Sequence, residues 1–289
     1  MKSDIITSVV FFRVILWPAM TRDVIGSVVI PAFNAERFLA ASVGSALASI
    51  DHCATVLDAF APEDMRVVIV DDGSSDNTEA LAQDLAAQDP RVLLVLGREN
   101  GGAGPARNAG AAAAPGEILF YLDADDRFLP DHVCGCLLAL LGAPEVGFVQ
   151  SGIALPEVVD PDWKTALERS VVFNIALWKD CHDFVGGFLE TPELKTLRCE
   201  DVLYRRALFH WFQGRTVGAE TVAHSRHPGN AFDRQRDRFA GDPDALDDLD
   251  GPERAVWPQI EAAARAQAAA VAARVASYEG PVPLLGPGD

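Results

Sequence analysis

Basic residues are scarce in this chain of 289 residues. Lys and Arg number 24 against 42 Asp and Glu, so the formal net charge at pH 7 is −18. Nucleic acids and anionic membrane surfaces would repel such a chain, and we expect no nucleic-acid partner. A phosphate-bearing ligand can still bind if backbone amides or a metal ion supply the positive charge.

Cysteines are few and show neither a zinc-binding nor a disulfide pattern. The five cysteines are an odd number, and none belongs to a Cys-x-x-Cys pair. Cys134 and Cys136 are too close in sequence for the usual zinc knuckle. We therefore expect buried, reduced thiols, which favour a cytoplasmic location.

The N-terminal region has an apolar stretch that is too short for a membrane span. Residues 5–19 are apolar, but Arg13 interrupts them and Pro18 closes them, whereas a span needs about 20 residues. A signal peptide can begin similarly, but no small-residue cleavage site stands out. We predict an extension over residues 1–24, and a peripheral position at the inner face of the membrane stays open.

Apolar runs followed by turn residues recur along the first half of the chain. Such runs are typical of buried strands in a parallel sheet, and helical patterns lie between them. The predicted strands are 27–32, 66–70, 92–96, 118–122 and 146–150. The predicted helices are 35–50, 76–87, 105–114, 201–212 and an Ala-rich helix over 254–277. The pattern predicts an α/β fold with a mostly parallel central sheet flanked by helices.

Three polar motifs fall where ligands bind in such sheets, at the carboxyl ends of the strands. The second strand ends in Asp71-Asp72-Gly73-Ser74-Ser75, the fourth ends in Asp123-Ala124-Asp125-Asp126, and a glycine loop over 100–108 leads into a helix. Each motif alone is more often an ordinary turn, acidic surface or loop. Together they place five carboxylates in one crevice, where a hard divalent cation would neutralise them and attract a diphosphate.

Four ordered segments resemble the family 2 glycosyltransferases of the GT-A fold. They are SVVIPAFNAERFL, VVIVDDGSSDNT, NGGAGPARNAGAAAAPGEILFYLDADD and CEDVLYRRAL. The resemblance implies a metal-dependent inverting transferase of polysaccharide biosynthesis that uses Mg²⁺ or Mn²⁺. It would move a sugar from a nucleotide-diphosphate sugar to a hydroxyl of a carbohydrate or lipid-linked acceptor. A homodimer stays open.

The same resemblance divides the chain. It implies a GT-A domain over 25–232, with a donor half over about 25–130 and an acceptor half over about 131–232. An acidic linker, the Ala-rich helix and a tail would follow over 233–289.

The resemblance also assigns roles to thirteen residues. Those expected to bind the donor are Pro31, Phe33, Glu36, Asp71, Asp72, Gly102, Arg107, Asp123 and Asp125. Those expected to bind the metal are Asp125, Asp126 and His227. Asp201 is expected to be the general base, with Glu200 beside it.

Some of these roles are more specific. Phe33 is expected to stack on the nucleotide base, and Asp72 is expected to accept a hydrogen bond from the imide of that base. Gly102 and Arg107 belong to a segment that is expected to run alongside the ribose and the diphosphate. His224 is a second histidine candidate, and Trp178 is a candidate for the sugar site.

Two alternatives remain from the residues themselves. A non-catalytic nucleotide-sugar binding protein would keep this fold, but the acidic motif together with Glu200-Asp201 argues against it. A nucleotidyltransferase would place a basic glycine-rich loop directly after the first strand, where this chain has Phe33-Asn34-Ala35-Glu36.

Overall fold

The computed structural model of the chain describes residues 24–97, 99–227 and 252–285. The predicted N-terminal extension and the acidic linker lie largely outside these ranges. Within them, the helices pack on the faces of a single mixed sheet.

The strands and helices are numbered in chain order. The strands are β1 (Gly26–Ala32), β2 (Met65–Asp71), β3 (Val92–Leu96), β4 (Ile118–Tyr121), β5 (Arg127–Phe128), β6 (Val146–Ala154), β7 (Ile175–Trp178) and β8 (Gln213–Ala223). The helices are α1 (Leu39–Val56), α2 (Thr78–Gln88), α3 (Ala103–Ala113), α4 (His132–Leu141), α5 (Pro161–Glu168), α6 (Lys179–Val185), α7 (Leu194–Leu197), α8 (Glu200–Trp211) and α9 (Pro252–Ala272).

The strand order in the described residues is β3-β2-β1-β4-β7-β6-β8-β5. The first four strands are parallel, as predicted. Three further pairs, β4–β7, β6–β7 and β5–β8, are antiparallel, while β8 runs parallel to β6. The sheet is therefore mixed, and its parallel part is confined largely to the donor half.

The parallel strands are apolar because helices cover both of their faces. In β1, Val28, Val29 and Ile30 are all fully buried. The length and apolar composition of α1 would also suit a membrane crossing. Its side chains at Leu39 and Val43 are fully buried in the same core cluster as β1, so its apolar face is accounted for by the core.

The second half differs from the prediction in its strands. The apolar runs do not predict β5, β7 and β8, and the strand predicted to end at 150 continues four residues further as β6. Most of β8 is exposed, so it lacks the apolar run of a buried strand. The long-range pairing with β6 defines this strand.

The Ala-rich helix predicted over 254–277 is α9, which ends at Ala272. It packs on the acceptor half, where Ile260 is fully buried beside Leu189, Leu194 and Leu197. The chain then continues to Val282, which is buried in a second core cluster with the aromatic residues of α6 and α8.

Candidate active site

One cavity of about 780 Å³ opens at the carboxyl ends of β1, β2 and β4. Strand ends, the glycine loop, the start of α8 and the segment after β8 form its walls. The predicted residues that line it are Pro31, Phe33, Asp72, Gly102, Arg107, Asp123, Asp125, Glu200, Asp201, His224 and His227. The predicted residues outside its lining are Glu36, Asp71 and Asp126.

The loops after β1 and β2 hold each other in place. Asn34, with a φ of 50°, accepts through Oδ1 from the Ser75 backbone N–H at 2.8 Å, and its own N–H donates to Ser74 Oγ at 2.9 Å. The Glu36 carboxylate accepts from the Asn77 N–H at 3.0 Å. Glu36 thus stabilises the start of α2 and lies away from the cavity, so this geometry gives no support to its predicted donor contact.

Asp71 and Asp72 hold two loops of the site in place through hydrogen bonds from backbone N–H groups. Asp71 is 1% exposed, and its Oδ2 accepts from the Ser74 N–H at 3.3 Å, which closes the turn after β2. Asp72 faces the glycine loop, where its two oxygens accept from the N–H groups of Gly101 at 2.8 Å and Gly102 at 2.7 Å. Asp72 therefore fixes the loop that lines the cavity, and a contact with the nucleotide base stays a prediction.

Glycine is needed at position 102 because the backbone there has a φ of 97°. A side chain at this position would also approach Lys195 Cγ at 3.3 Å. Only glycine adopts this conformation without strain.

The carboxylates of Asp123, Asp125 and Asp126 offer ligand atoms within 4.8 Å of one another. Asp126 is buried, and its Oδ1 accepts from the Ser225 N–H and contacts His224 Nδ1, both at 2.8 Å. Burial raises the pKa of Asp126 to about 6, and the contact with His224 opposes this effect. Asp126 is therefore bonded to the segment after β8, outside the cavity lining, and stabilises the acidic cluster there.

Asp125 and His227 face the cavity together. His227 Nε2 lies 2.8 Å from Asp125 Oδ2, and its ring stacks on Phe38 at 4.3 Å. Neighbouring ligands of an octahedral ion with bonds of about 2.1 Å are about 3 Å apart. The spacing and donor types of this pair thus fit a divalent cation, with Asp123 as the next available carboxylate.

Arg107 joins the two sides of the cavity. It is 2% exposed, and its guanidinium donates to Asp123 Oδ1 and to Asp201 Oδ1, both at 2.6 Å. Burial alone would lower the pKa of Arg107, but the carboxylates of Asp201, Asp123 and Glu200 raise it well above its usual range. The guanidinium of Arg107 is bound by carboxylates at the cavity lining, and its predicted contact with ribose and diphosphate stays a prediction.

Asp201 lies in the first turn of α8, next to Glu200. Burial raises its pKa to about 7, the charge of Arg107 lowers it, and Glu200 and Asp123 raise it further. A carboxylate with a pKa near neutrality, facing a cavity, is suited to accept a proton at physiological pH.

Several cavity residues were missed in the sequence. They are Asn100, Phe38, Leu189, Leu194, Lys195 and Arg198. Lys195 Nζ donates to the Asn100 carbonyl across the cavity, a contact between residues 95 positions apart that no local pattern indicates.

The predicted sugar-site role of Trp178 is wrong. Its indole N–H donates to the Val146 carbonyl at 3.1 Å, and the residue packs against the core away from the cavity. Phe188, which follows Gly186 and Gly187, is 1% exposed, and its ring stacks on that of Tyr204 with 3.9 Å between the ring centroids.

A family model described as "Glycosyl transferase family 2" matches residues 27–211. The chain belongs to this family. The match covers β1 to α8, including the glycine loop, the acidic cluster, Arg107 and Asp201. The segment with His224 and His227 and the helix α9 lie beyond it.

Curated relatives match this family 2 chain over 104 to 115 residues. An uncharacterised glycosyltransferase of Nostoc is 38% identical over 104 residues, which are 36% of this chain and 29% of that protein. A succinoglycan biosynthesis protein of Rhizobium meliloti is 40% identical over 105 residues, 36% of this chain and 26% of that protein. A chondroitin synthase of Pasteurella multocida is 36% identical over 115 residues, 40% of this chain and 11% of that protein. The matches thus span less than a third of each relative.

Solved structures share the fold. A mannosyltransferase of Pyrobaculum calidifontis, in complex with GDP-Man and Mn²⁺, aligns with a TM-score of 0.57 at 19% identity, covering 97% of this chain and 86% of that one. Staphylococcus aureus TarS with UDP-GlcNAc aligns with a TM-score of 0.55 at 17% identity, covering 71% and 59%. The predicted GT-A fold is confirmed.

Proposed function

We propose that the protein is a metal-dependent, inverting glycosyltransferase that moves a sugar from a nucleotide-diphosphate sugar to an acceptor hydroxyl. The observation that carries this proposal is the buried Arg107 bridge. It holds Asp123 of the acidic cluster and Asp201, the candidate base, at 2.6 Å each, and both carboxylates line one cavity. Inversion needs such an arrangement, because the base and the leaving group must lie on opposite faces of the anomeric carbon.

The donor side consists of the glycine loop, Phe33 and the acidic cluster. Phe33 is 47% exposed on the cavity wall, where its ring is free to stack on a nucleotide base. The loop at Gly101 and Gly102 is held by Asp72 and lets a ligand approach the backbone closely. Asp125 and His227, with Asp123, would hold Mg²⁺ or Mn²⁺, which supplies positive charge against the developing charge of the diphosphate.

The acceptor side is built around Asp201. Its carboxylate accepts the proton of the acceptor hydroxyl while that oxygen bonds to the anomeric carbon. The bond from that carbon to the diphosphate oxygen breaks, and the nucleoside diphosphate leaves. Arg107 holds Asp201 in its orientation and balances its charge before the proton arrives.

The comparisons support this class of reaction. Solved structures of the same fold were determined with UDP-GlcNAc or with GDP-Man and Mn²⁺. Relatives named for succinoglycan biosynthesis and chondroitin synthesis favour a polysaccharide acceptor, carbohydrate or lipid-linked. We further propose a cytoplasmic location, which the five free cysteines, four of them buried, support.

The test is to incubate the protein with Mn²⁺ and each of a panel of α-configured nucleotide sugars. The released nucleoside diphosphate and the sugar product are then analysed. We expect release of one nucleoside diphosphate and a product sugar with β configuration at the anomeric carbon, read by NMR. An α-configured product would contradict inversion.

A non-catalytic binding protein is the second candidate. It predicts nucleotide binding with no turnover of any donor, in the wild type as well as in Asp201→Asn. The position of Asp201 favours the enzyme, because the carboxylate lines the cavity beside Glu200 and burial raises its pKa to about 7, which suits a general base.

A further inference from the structure

We propose that helix α9 and the turn after it are a working part of the transferase site, with Gln267 in the helix and Arg274 in the turn as positioning residues for the segment 183–199, whose residues from Leu189 onward line the cavity. This inference rests on the proposed function. The family match ends at residue 211, so α9 lies outside the segment that the family model describes.

Gln267 fixes an unusual turn that precedes the cavity-lining residues of this segment. Its Nε2 donates to the carbonyls of Val185 at 3.2 Å, Gly186 at 3.2 Å and Gly187 at 3.0 Å. Both glycines have positive φ, 82° and 69°, so α6 ends in two consecutive left-handed residues. Because a primary amide has two hydrogens, the three carbonyls share them. One side chain thus holds the whole turn.

Arg274 holds the end of α6. Its Nη1 donates to the carbonyls of Asp183 and Phe184, both at 3.1 Å. The last carbonyls of a helix have no partner within it, and a cation there also interacts favourably with the helix dipole. Gln267 and Arg274 together therefore account for five carbonyls between 183 and 187.

The apolar face of α9 supports the next part of the wall. Ile260 is fully buried against Leu189, Leu194 and Leu197, and Trp257 packs on the same cluster. Leu189 and Leu194 also line the cavity, as does Lys195 of the same segment. The segment is thin enough to contact α9 on one side and the site on the other.

The turn connects directly to the candidate base. Phe188 follows Gly187, and its N–H and carbonyl are both bonded to the Asn108 amide at 2.8 Å. Its ring stacks on Tyr204, one turn after Asp201, and lies 5.3 Å from the Arg107 guanidinium. A shift of the turn would therefore move the support of Arg107 and Asp201, while the donor loops after β1 and β2 would stay in place.

The experiment compares three substitutions in α9, each made in the whole chain. Gln267→Glu keeps the shape but replaces the amide donor by an oxygen that faces three carbonyls. Gln267→Lys restores donors, and Arg265→Ala removes a side chain that is 77% exposed on the same helix. The measurements are turnover of the nucleotide sugar with Mn²⁺ and amide hydrogen exchange across the chain.

We expect Gln267→Glu to lower kcat about 10-fold, the equivalent of ~1.4 kcal/mol, and to leave the donor KM within about twofold. Exchange should rise in peptides covering 186–199 and stay unchanged in those covering 27–72. Gln267→Lys should recover most of kcat, and Arg265→Ala should match the wild type. A structural role alone would lower the melting temperature without this division between kcat and KM.

Three results would overturn the inference. Exchange over 186–199 could equal that of the wild type in Gln267→Glu, kcat could equal that of Arg265→Ala, or the donor KM could rise as much as kcat falls. A wild-type protein with no turnover of any donor would instead overturn the proposed function. The exchange data would then still decide whether α9 holds the wall.

Discussion

The donor half and the acceptor half are built by different rules. In the donor half, each parallel strand is an apolar run that ends in its own polar motif, and a helix follows β1, β2 and β3. In the acceptor half, antiparallel pairing, an exposed strand and the distant helix α9 define the structure. Local sequence therefore determines the donor site, whereas contacts between distant residues determine the acceptor site.

Arg107 is where the two halves meet. It belongs to α3 of the donor half, and its contact with Asp201 joins residues 94 positions apart. Substitutions at this contact and within each half should therefore distinguish what the two halves contribute to turnover and to stability.

Asp201→Asn should remove turnover and spare donor binding. The amide can still accept from Arg107 but cannot take a proton, so we expect kcat to fall about 10³-fold, within the range for a lost general base. Nucleotide affinity should be unchanged. Steady-state kinetics and nucleotide titration measure both, with the exposed Asp84→Asn as the control for lost charge. An active Asp201→Asn would disprove the assignment of the base.

Arg107→Ala should destabilise the whole protein. It leaves Asp123 and Asp201 without their shared partner in a buried site, which typically costs about 3–5 kcal/mol. Urea denaturation measures the change. Arg265→Ala, which removes an exposed ion pair, should stay within about 0.5 kcal/mol of the wild type. Equal midpoints for the two variants would mean that the bridge does not hold the halves together.

Turnover by the wild type should rise with pH and level off above about 7. Burial raises the pKa of Asp201 to about 7, and only its ionised form can act as base. Between pH 5 and pH 7 the rate should thus increase roughly 50-fold. The residual rate of Asp201→Asn should lack this rise. A flat wild-type profile would point to a different base.

Acid should weaken the acceptor half first. His132 and His182 are buried there, and burial lowers their pKa values to about 3 and about 4. Below pH 6.5 the unfolded chain binds protons that the folded chain does not, so stability is lost as the pH falls. At pH 5 each histidine should cost about 2 kcal/mol.

Hydrogen exchange at pH 7 and pH 5 would locate this loss. It should appear around α4 and α6, while β1 to β3 keep their protection. His132→Gln should remove about 2 kcal/mol of the pH dependence. Uniform loss of protection in both halves would contradict the division.

Two glycine substitutions should have opposite signs in the donor half. Gly110→Ala in α3 would place a methyl group 2.3 Å from Val29 Cγ1, and we expect a loss of about 1–3 kcal/mol. Gly44→Ala in α1 meets nothing within 4 Å and should gain about 0.5–1 kcal/mol from helix propensity. Thermal denaturation of both variants is the check. A stable Gly110→Ala would show that α3 packs less closely on the sheet.

The sequence predicts the strands correctly where residues that are neighbours in the chain determine the secondary structure. The strand predicted over 92–96 has those bounds, the one predicted at 27–32 begins one residue earlier, and the one predicted at 66–70 is one residue longer at each end. The short β7 and the exposed β8 could not be recognised because pairing with distant strands defines them. The residues of the acidic cluster and Asp201 were found through their motifs.

The partners of these residues could not be predicted. A positive residue after a glycine loop suggests a phosphate contact, but Arg107 is directed into the protein toward Asp123 and Asp201. Glu36 resembles a pocket residue and stabilises the start of α2. Lys195 reaches the cavity only because α9 and α7 place it there.

Metal-dependent nucleotide binding tests the central claim most directly. Melting temperatures would be measured with UDP, GDP, dTDP and CDP, with and without Mn²⁺, for the wild type and Asp125→Ala. We expect one nucleotide to stabilise the wild type in the presence of Mn²⁺, by about 2.7 kcal/mol at 100 times its Kd. Asp125→Ala should lose this effect. Stabilisation that is equal without Mn²⁺, or equal in Asp125→Ala, would contradict a metal-bound diphosphate at this site.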